Sequence, residues 1–221
     1  NYGIKRTETL PISLRMIREL HAKLMTDARS TQHAYPGQFR TSQNWIGGKT
    51  PMDASFVTPA PGDMLDALDD LEKFIHEEDD YPSLVKAGLI HAQFETIHPF
   101  TDGNGRTGRI LGALYIQHTK LLDLPVLYLS SYFKKYQKVY YQKLQAYHDE
   151  EADIDGWLEF FLEGVAEIAE SSIETCTKIT ALRDRDFSKM QKLGKKSAAS
   201  TLELVRKLFS QPIVGGAEIM K

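Results

Sequence analysis

Residues 97–109, with the sequence IHPFTDGNGRTGR, constrain the fold of this chain more than any other stretch. The apolar segment SLVKAGLIHAQFETI before them and the segment GRILGALYIQHTK that overlaps their end both predict helices. Glycine tolerates positive φ angles and close approach of other atoms to the backbone. The sequence therefore predicts two helices joined by a tight turn at Gly103, Asn104 and Gly105, with the second helix beginning at Arg106.

This turn has the properties of an anion-binding site. The first N–H groups of a helix have no partner within the helix, and the helix dipole adds positive potential at the same end. Arg106 and Arg109 are three residues apart, so they lie on one helical face and can bind phosphate oxygens in a bidentate manner. Two arginines beside such a turn suit a polyphosphate.

Two further side chains of the loop have reactive groups. Asp102 offers a hard oxygen ligand of the kind that binds Mg²⁺ together with phosphate oxygens. His98 exchanges a proton near neutral pH, and a general base at this position would activate an attacking hydroxyl, an effect worth roughly 10²–10⁴ in rate. Gly108 and Gly112, four residues apart, predict close packing of the second helix against a neighbour.

Each of these residues also has a purely structural explanation. A Gly-Asn-Gly sequence alone is a turn, a histidine after an apolar helix is a cap or core residue, and two arginines are surface charges. Phosphate chemistry is favoured because a single loop contains every group that it requires. The Walker pattern GxxxxGK[ST] is absent, and His91, His98 and Asp102 lack the spacing of a zinc site.

Composition excludes several classes of protein. The 221 residues are 42% hydrophobic and 26% charged, as in a globular protein. The net charge of −3 gives no basic field for nonspecific binding to nucleic acid or membranes, and no apolar run has the length of a membrane span. The single cysteine, Cys176, cannot form an intramolecular disulfide, which favours a reducing cytoplasmic location. A start at Asn1 rather than Met favours a piece of a longer protein.

Helical periodicity covers most of the chain and predicts an all-α fold. Four further helices are predicted, over residues 12–25, 64–76, 131–148 and 156–186. The exception is residues 36–62, which contain four prolines and four glycines. Residues of this stretch around Gly47 and Gly48 are β-branched or aromatic, and the pattern predicts loops with a short hairpin.

The C-terminal part is predicted to be separate from the rest. Residues 193–200, LGKKSAAS, are small and polar and resemble a linker, and residues 201–214 restart a helical pattern. We expect one domain over residues 1–192 and the beginning of a second module over residues 193–221. The alternative is a final helix that packs on the main helical bundle.

The central stretch resembles the signature of the Fic family, HxFx[D/E]GNGRxxR. Every defined position is matched, by His98, Phe100, Asp102, Gly103, Asn104, Gly105, Arg106 and Arg109. Residues 36–48 are similar to the flap of that family, and residues 127–133 and 140–144 are similar to its later helices. The resemblance spans roughly residues 7–185. It implies an all-α Fic-type bundle with a short β-hairpin flap at about residues 40–60 over an active site at residues 98–109.

The resemblance also implies a reaction, the transfer of AMP from Mg-ATP to a Ser, Thr or Tyr hydroxyl of a target protein with release of pyrophosphate. It implies that His98 is the base, that Asp102 binds Mg²⁺ and that Arg109 holds the γ-phosphate. Phe100 is expected to anchor the loop. The other nucleotide-binding residues that it implies are Gly103, Asn104, Gly105, Arg106, Thr107, Gly108, the flap residues Ile46, Gly47 and Gly48, and the pair Tyr140 and Tyr141.

The tyrosine pair has an alternative explanation. Phe133, Tyr136, Tyr140, Leu144 and Tyr147 form a helical stripe, which is more often core than a ligand site. The flap is expected to align an extended target segment by strand addition, which needs only backbone partners. The sequence does not identify the target protein, and this protein itself is one of the candidates.

Two regulatory features of the resembling family are incomplete here. Its inhibitory motif [S/T]xxxE[G/N] has no match in this chain, so the resemblance places such a helix upstream of residue 1 or on another chain. Residues 201–214 resemble the start of a winged-helix module, which implies DNA as a partner, and a homodimer is left open. Two other functions remain: transfer of a different phosphate-containing group, and a non-catalytic nucleotide sensor that regulates a DNA-binding region.

Overall fold

The computed structural model describes residues 2–26, 35–122, 127–149, 151–192 and 195–211, with the backbone alone for residues 195–200 and 210. The elements are α1 (Tyr2–Thr7), α2 (Leu14–Thr26), β1 (Trp45–Ile46), β2 (Phe56–Val57), α3 (Pro61–His76), α4 (Ser83–Ile97), α5 (Asn104–His118), α6 (Leu129–Lys135), α7 (Gln137–His148), α8 (Ile154–Gln191) and α9 (Lys195–Ser210). The predicted all-α class with one short hairpin is confirmed. None of these helices is both long enough and apolar enough to cross a membrane.

Helices α4 and α5 form the centre of the fold. Helix α4 is buried nearly all round, as its apolar sequence predicts, and it spans the residues predicted for it. It packs along α5 and also contacts α3 and α7. At the N-terminal part of α8, the fully buried Trp157 donates its indole N–H to the Gly88 carbonyl of α4 at 2.9 Å. The loop between α4 and α5 is therefore fixed by helices that are themselves held in the core.

Helices α2 and α3 cover the central pair with amphipathic faces. Met16, Ile17 and Leu20 of α2 are buried, as are Leu68 and Leu71 of α3. Burying side chains of this size stabilises the fold by about 1.5–3 kcal/mol each relative to exposure. The helical spacing of these apolar residues in the sequence is what directs them to one side.

The predicted hairpin is present as a pair of two-residue antiparallel strands. Trp45 pairs with Val57, and Ile46 pairs with Phe56. The turn that follows β1 contains Gly47 at φ +73°, where a Cβ atom would lie 2.6 Å from the Ser55 hydroxyl oxygen. Only glycine fits this position, because both the backbone conformation and the space exclude a side chain.

The prediction of a single helix over residues 131–148 is wrong, because this stretch contains two helices. The structure divides it into α6 and α7, with a break at Tyr136 where φ is −108° and ψ is 36°. The Tyr136 hydroxyl donates to Glu167 of α8 at 3.1 Å, and the Tyr132 ring lies against Gly164. Both rings contact α8, and helical periodicity does not record such tertiary contacts.

The chain divides into two compact units, Asn1–Ile168 and Ala169–Lys221. The second unit contains the C-terminal part of α8 together with α9, and within it the rings of Phe187 and Phe209 meet edge-to-face at 6.2 Å. Of the expected linker 193–200, residues 195–200 are helical, so this part of the expectation is wrong. A winged-helix module stays a prediction, because residues 212–221 lie outside the described residues.

Candidate active site

The junction between α4 and α5 contains two residues in the left-handed conformation, one that ends α4 and one that begins α5. His98 caps the end of α4 in the left-handed conformation, with φ 49° and ψ 58°, and its N–H donates to the Phe94 carbonyl at 3.0 Å. Gly103 caps the start of α5 at φ 84°. Helix α5 begins at Asn104, two residues before the start expected from the sequence. Only the short loop 99–103 separates His98 from the free end of α5.

Asn104 holds this loop closed from inside. Its side-chain oxygen accepts from the Phe100 N–H at 2.8 Å, and its amide donates to the Phe100 carbonyl at 2.7 Å. Both Asn104 and Phe100 are buried. The predicted anchoring role of Phe100 fits this placement, and the Asn104 side chain serves the loop rather than facing outward.

His21 of α2 supports the same loop through a ring contact and a hydrogen bond. Its ring stacks on Phe100 with the centroids 3.7 Å apart and the planes parallel within 1°. The Gly37 N–H donates to His21 Nδ1 at 2.9 Å, so Nε2 carries the proton and donates to the Asp102 carbonyl at 2.9 Å. Burial lowers the pKa of His21, and these two hydrogen bonds require the neutral ring.

Arg40 fastens the loop to the base of the hairpin. This buried guanidinium donates to the His98 carbonyl at 3.0 Å and to the Pro59 carbonyl at 2.5 Å. Asn44 donates to the carbonyls of His98 and Phe100 at 3.3 and 3.2 Å. The hairpin and the loop therefore share one hydrogen-bonded base.

The His98 ring is oriented for proton transfer. Its Nδ1 lies 3.1 Å from the Glu95 carbonyl, and because a carbonyl only accepts, Nδ1 carries the proton. The other nitrogen, Nε2, then has a free lone pair in the neutral ring. Burial is the main cause that lowers the pKa of His98, and the positive charge of Arg40 adds to it. Both effects favour the neutral form, which is the form that acts as a base.

The first turn of α5 presents amide groups beside a carboxylate and an arginine. The first intrahelical bond runs from the Thr107 N–H to the Gly103 carbonyl at 2.9 Å, so the amides of residues 104–106 precede the intrahelical ladder. Asp102 accepts from the Gly103 N–H at 2.6 Å, and its other carboxylate oxygen lies 3.5 Å from Arg106. Amides, dipole and guanidinium together create positive potential at this end.

Arg109 lies one helical turn behind this end. One of its terminal nitrogens is 3.1 Å from the position that a Cβ on Gly105 would take. Arg106 and Arg109 both line a cavity of about 730 Å³, whose remaining wall is largely apolar and comes from α1, α2, α4, α5, α6, the N-terminal part of α8 and the segment before α6. The expectation that the two arginines share one face is consistent with this arrangement.

The residues at this end are compatible with Mg²⁺ in one specific manner. Within the described ranges, no group of three or more His, Cys, Asp or Glu side chains surrounds a common point. Asp102 is a single carboxylate, about one third exposed, at the mouth of the turn. Mg²⁺ is commonly bound by one or two carboxylates together with the phosphates of its substrate. Asp102 fits that manner of binding and not an all-protein cage.

Three residues of α5, Thr107, Gly108 and Gly112, were expected near the nucleotide or in close helix packing. The Thr107 hydroxyl is buried and donates to the Gly103 carbonyl at 2.9 Å. Gly108 faces α4, where a Cβ would lie 2.7 Å from the Glu95 carboxylate. Gly108 therefore gives the predicted close packing, whereas Gly112 does not, because a Cβ there would meet no atom within 4 Å.

The tyrosine pair is divided between core and surface. Tyr140 is 4% exposed, its ring stacks with Phe133 at 4.7 Å, and its hydroxyl shares a 3.0 Å hydrogen bond with His91. Tyr141 is 56% exposed. Tyr140 therefore occupies the core position that the helical stripe predicts, and a nucleoside contact of either ring stays a prediction.

The hairpin is also held at its second strand. Phe56 of β2 stacks on the His148 ring at the end of α7, with centroids 4.1 Å apart. Burial is the main cause that lowers the pKa of His148 to about 4, and the nearby His98 contributes. Ile46, Gly47 and Gly48 form the end of β1 and the following turn, and their approach to a nucleotide stays a prediction.

Sequence reasoning missed four residues that hold the site, His21, Arg40, Asn44 and Glu95. Arg40 and Asn44 lie within the stretch 36–48 that resembles a flap, so their region was identified but not their role. His21 carries no local signal, since the residue that it binds is 81 positions away. The signal that could have indicated Glu95 is a charged residue within a largely apolar helix.

Comparison with protein families assigns the region that contains this loop. A model described as "Fic/DOC family" matches residues 11–116. Residues 11–116 of this chain belong to the Fic/DOC family. The Fic signature is therefore located at the junction of α4 and α5, where His98, Asp102 and the first turn of α5 meet.

Curated relatives match the Fic region over about half of this chain. A protein named protein adenylyltransferase fic-1 from Caenorhabditis briggsae is 32% identical over 111 residues, which are 50% of this chain and 20% of that protein. A protein named protein adenylyltransferase Fic from Drosophila virilis is 33% identical over 106 residues, which are 47% of this chain and 20% of that protein. The match spans about a fifth of the length of these curated relatives.

Solved Fic structures share the fold over a longer range. A Fic family protein from Desulfovibrio desulfuricans aligns with a TM-score of 0.65 and 25% identity over 79% of this chain and 51% of its own. A Fic domain containing signaling protein from Bacteroides thetaiotaomicron aligns with a TM-score of 0.58 and 21% identity over 80% of this chain and 66% of its own. The Fic fold therefore extends beyond the family match at residues 11–116.

Proposed function

We propose that this chain is a nucleotidyltransferase that transfers AMP from Mg-ATP to a Ser, Thr or Tyr hydroxyl of a target protein. The observation that carries the proposal is the orientation of His98, whose Nδ1 is committed to the Glu95 carbonyl while Nε2 stays available. The names of the curated relatives, protein adenylyltransferase, support the same reaction.

The chain binds the phosphates through the first turn of α5. The amides of residues 104–106, the helix dipole and Arg106 face the negative charge, and Arg109 binds the terminal phosphate. Such groups stabilise a phosphoryl transition state mainly by positioning and by neutralising charge. Asp102 would hold the Mg²⁺, which neutralises phosphate charge when bound.

Transfer then follows from proton movement at His98. Nε2 accepts the proton of the target hydroxyl as its oxygen forms a bond to the α-phosphorus. The bond between that phosphorus and the bridging oxygen of pyrophosphate breaks, and pyrophosphate leaves. The Glu95 carbonyl stabilises the imidazolium that forms, because it accepts from Nδ1–H in both protonation states.

Intact-mass spectrometry tests the reaction directly. The purified chain is incubated with Mg-ATP, alone and with cell lysate, and a mass gain equal to one AMP on a protein is expected. The matched control is His98→Ala, which is expected to bind ATP as before and to transfer no AMP. If His98→Ala transfers AMP as fast as the parent chain, His98 is not the base.

A second transferred group is favoured by one observation. The amides and arginines at this end of α5 would recognise phosphate groups, and the buried Tyr140 leaves the nucleobase without an assigned partner. Competition of ATP binding by GTP, UTP and CDP-choline separates AMP transfer from transfer of another phosphate-containing group. Tight ATP binding without any modified protein would instead identify a nucleotide sensor, and the predicted DNA partner would then be the next ligand to test.

A further inference from the structure

The proposed transfer uses the backbone carbonyl of Glu95 but not its buried carboxyl group. Glu95 lies on α4, is 5% exposed, and its Oε1 has no hydrogen-bond partner among the described residues. Burial raises the pKa of Glu95 to about 7. A buried acid without full pairing destabilises a fold, so a contribution to function is the more economical explanation for its presence.

The Fic signature provides the space that this carboxyl group occupies. A Cβ on Gly108 would lie 2.7 Å from Glu95 Oε1, and one on Gly105 would lie 3.7 Å from it. Gly105 and Gly108 are three residues apart, so both face α4. Gly105, a defined position of the signature, and Gly108, at one of its variable positions, thus admit the carboxyl group of Glu95 against the first turns of α5.

Arg109 faces the same space. Its Nη1 lies 3.1 Å from the Cβ position of Gly105, the position that Glu95 also approaches. The positive charge of Arg109 opposes burial by lowering the pKa of Glu95. Burial raises the pKa of Tyr140 most, Glu95 raises it further and Arg109 lowers it. Glu95, Arg109 and Tyr140 therefore converge from α4, α5 and α7.

We propose that Glu95 is a positioning residue, which holds the Arg109 guanidinium against the first turn of α5 so that its N–H groups point at a bound phosphate. Long cationic side chains lose considerable rotational freedom when they are fixed, and a buried counter-charge lets Arg109 lose that freedom before the nucleotide arrives. The statement that Arg109 points at a bound phosphate rests on the proposed function, whereas the statement that Glu95 fixes the Arg109 side chain does not.

Two measurements on the full chain test this inference. The first is solvent exchange of the Arg109 Nε–H in ¹⁵N-arginine NMR spectra, with the signal assigned by Arg109→Lys. At pH 8, above the Glu95 pKa of about 7, Glu95→Gln keeps the shape and removes the charge, and it is expected to speed that exchange about tenfold. The second is calorimetric affinity for Mg-ATP, which Glu95→Gln is expected to weaken about fivefold to tenfold. Glu95→Asp, which keeps the charge on a shorter stem, is expected to give intermediate values.

The control is Glu72→Gln. Glu72 accepts from the Leu14 N–H at 2.7 Å, so this variant loses a structural carboxylate but should leave Arg109 exchange and ATP affinity unchanged. Unchanged Arg109 exchange in Glu95→Gln overturns the inference. Faster Arg109 exchange with unchanged ATP affinity overturns the statement that Glu95 aligns Arg109 with a bound phosphate. If the parent chain binds no Mg-ATP, the proposed function fails while the exchange measurement still decides whether Glu95 holds Arg109.

Discussion

The Asn104 side chain pairs with both backbone groups of Phe100, at 2.8 and 2.7 Å. The side chain thereby pairs with the loop backbone as a neighbouring β-strand would, and both hydrogen bonds lie inside the core. The loop therefore keeps its shape without contributions from a ligand. The amides at the start of α5 are positioned by the protein itself, an arrangement that lowers the cost of binding an anion.

Replacement of Asn104 tests this closure. Asn104→Ala leaves the buried Phe100 N–H and carbonyl without these partners, and we expect a loss of about 3 kcal/mol in the free energy of unfolding. Asn104→Asp keeps the acceptor but not the donor and should lose about half as much. Urea unfolding measures both values. An alanine variant as stable as the parent would mean that the loop does not depend on this side chain.

Gly108 and Gly112 give a matched pair of substitutions on one helix. At Gly108, a Cβ would lie 2.7 Å from Glu95 and 3.0 Å from Phe94, so Gly108→Ala should destabilise the fold by about 1–3 kcal/mol. At Gly112 a Cβ meets nothing, so alanine should stabilise the helix by about 0.5–1 kcal/mol. Thermal unfolding distinguishes them, and equal effects of the two alanines would contradict the packing described here.

Arg40 is expected to influence the protonation of His98. Since the positive charge of Arg40 lowers the pKa of His98, Arg40→Gln should raise that pKa, and Arg40→Lys should raise it less. Arg40→Gln also leaves buried carbonyls without their donors and should cost about 2 kcal/mol of stability. The pKa is read from the pH titration of the His98 ring signals in NMR spectra. A His98 pKa that is the same in all three proteins would exclude this electrostatic effect.

His148 should make the fold less stable in acid. Its pKa in the folded protein is about 4, below the ordinary value of 6.5, so between these values the unfolded chain binds a proton that the folded chain does not. Stability is therefore lost as the pH falls through this window. His148→Phe keeps a ring against Phe56 and cannot titrate. Between pH 7 and pH 5, the parent should lose about 1 kcal/mol more than this variant in urea unfolding. An identical loss in both proteins would show that His148 titrates normally.

Glu95 should have the opposite effect. Its pKa in the folded protein is about 7, above the ordinary value of 4.5, so between these values the folded chain binds a proton that the unfolded chain has released. Stability is therefore lost as the pH rises through this window, by about 2 kcal/mol between pH 5 and pH 7.5. Glu95→Gln removes this contribution, and His91 and His148 are present in both proteins. The free energy of unfolding of Glu95→Gln must then rise relative to that of the parent as the pH rises. A constant difference between the two proteins would refute the raised pKa of Glu95.

The sequence allowed prediction of the parts of the site that are local. The apolar run 83–97 and the turn at Gly103–Gly105 predict helix, loop and helix, because period and turn residues act over a few positions. The same local signals placed the hairpin at Gly47 and Gly48. They also lead to the prediction that His98 and Asp102 are the reactive groups, since each has a distinct chemistry within the loop, and this stays a prediction.

The supports of the loop could not be predicted in this way. The bond from His21 to the Asp102 carbonyl joins residues 81 positions apart, and the bond from Arg40 to the His98 carbonyl joins residues 58 apart. A buried arginine that binds only carbonyls looks like a surface arginine in a sequence. The break at Tyr136 was missed for a related reason, since the contact with Glu167 that accompanies it lies on another helix.

The dependence of the loop on distant side chains limits how it can be moved between proteins. Residues 97–109 grafted between two helices of an unrelated bundle would arrive without an imidazole under the ring of Phe100 and without a guanidinium on the carbonyl of His98. The grafted segment would keep every residue of the motif but lose the backbone conformation that the loop has in this protein. A portable form of this loop therefore needs at least the whole segment from α2 to α5.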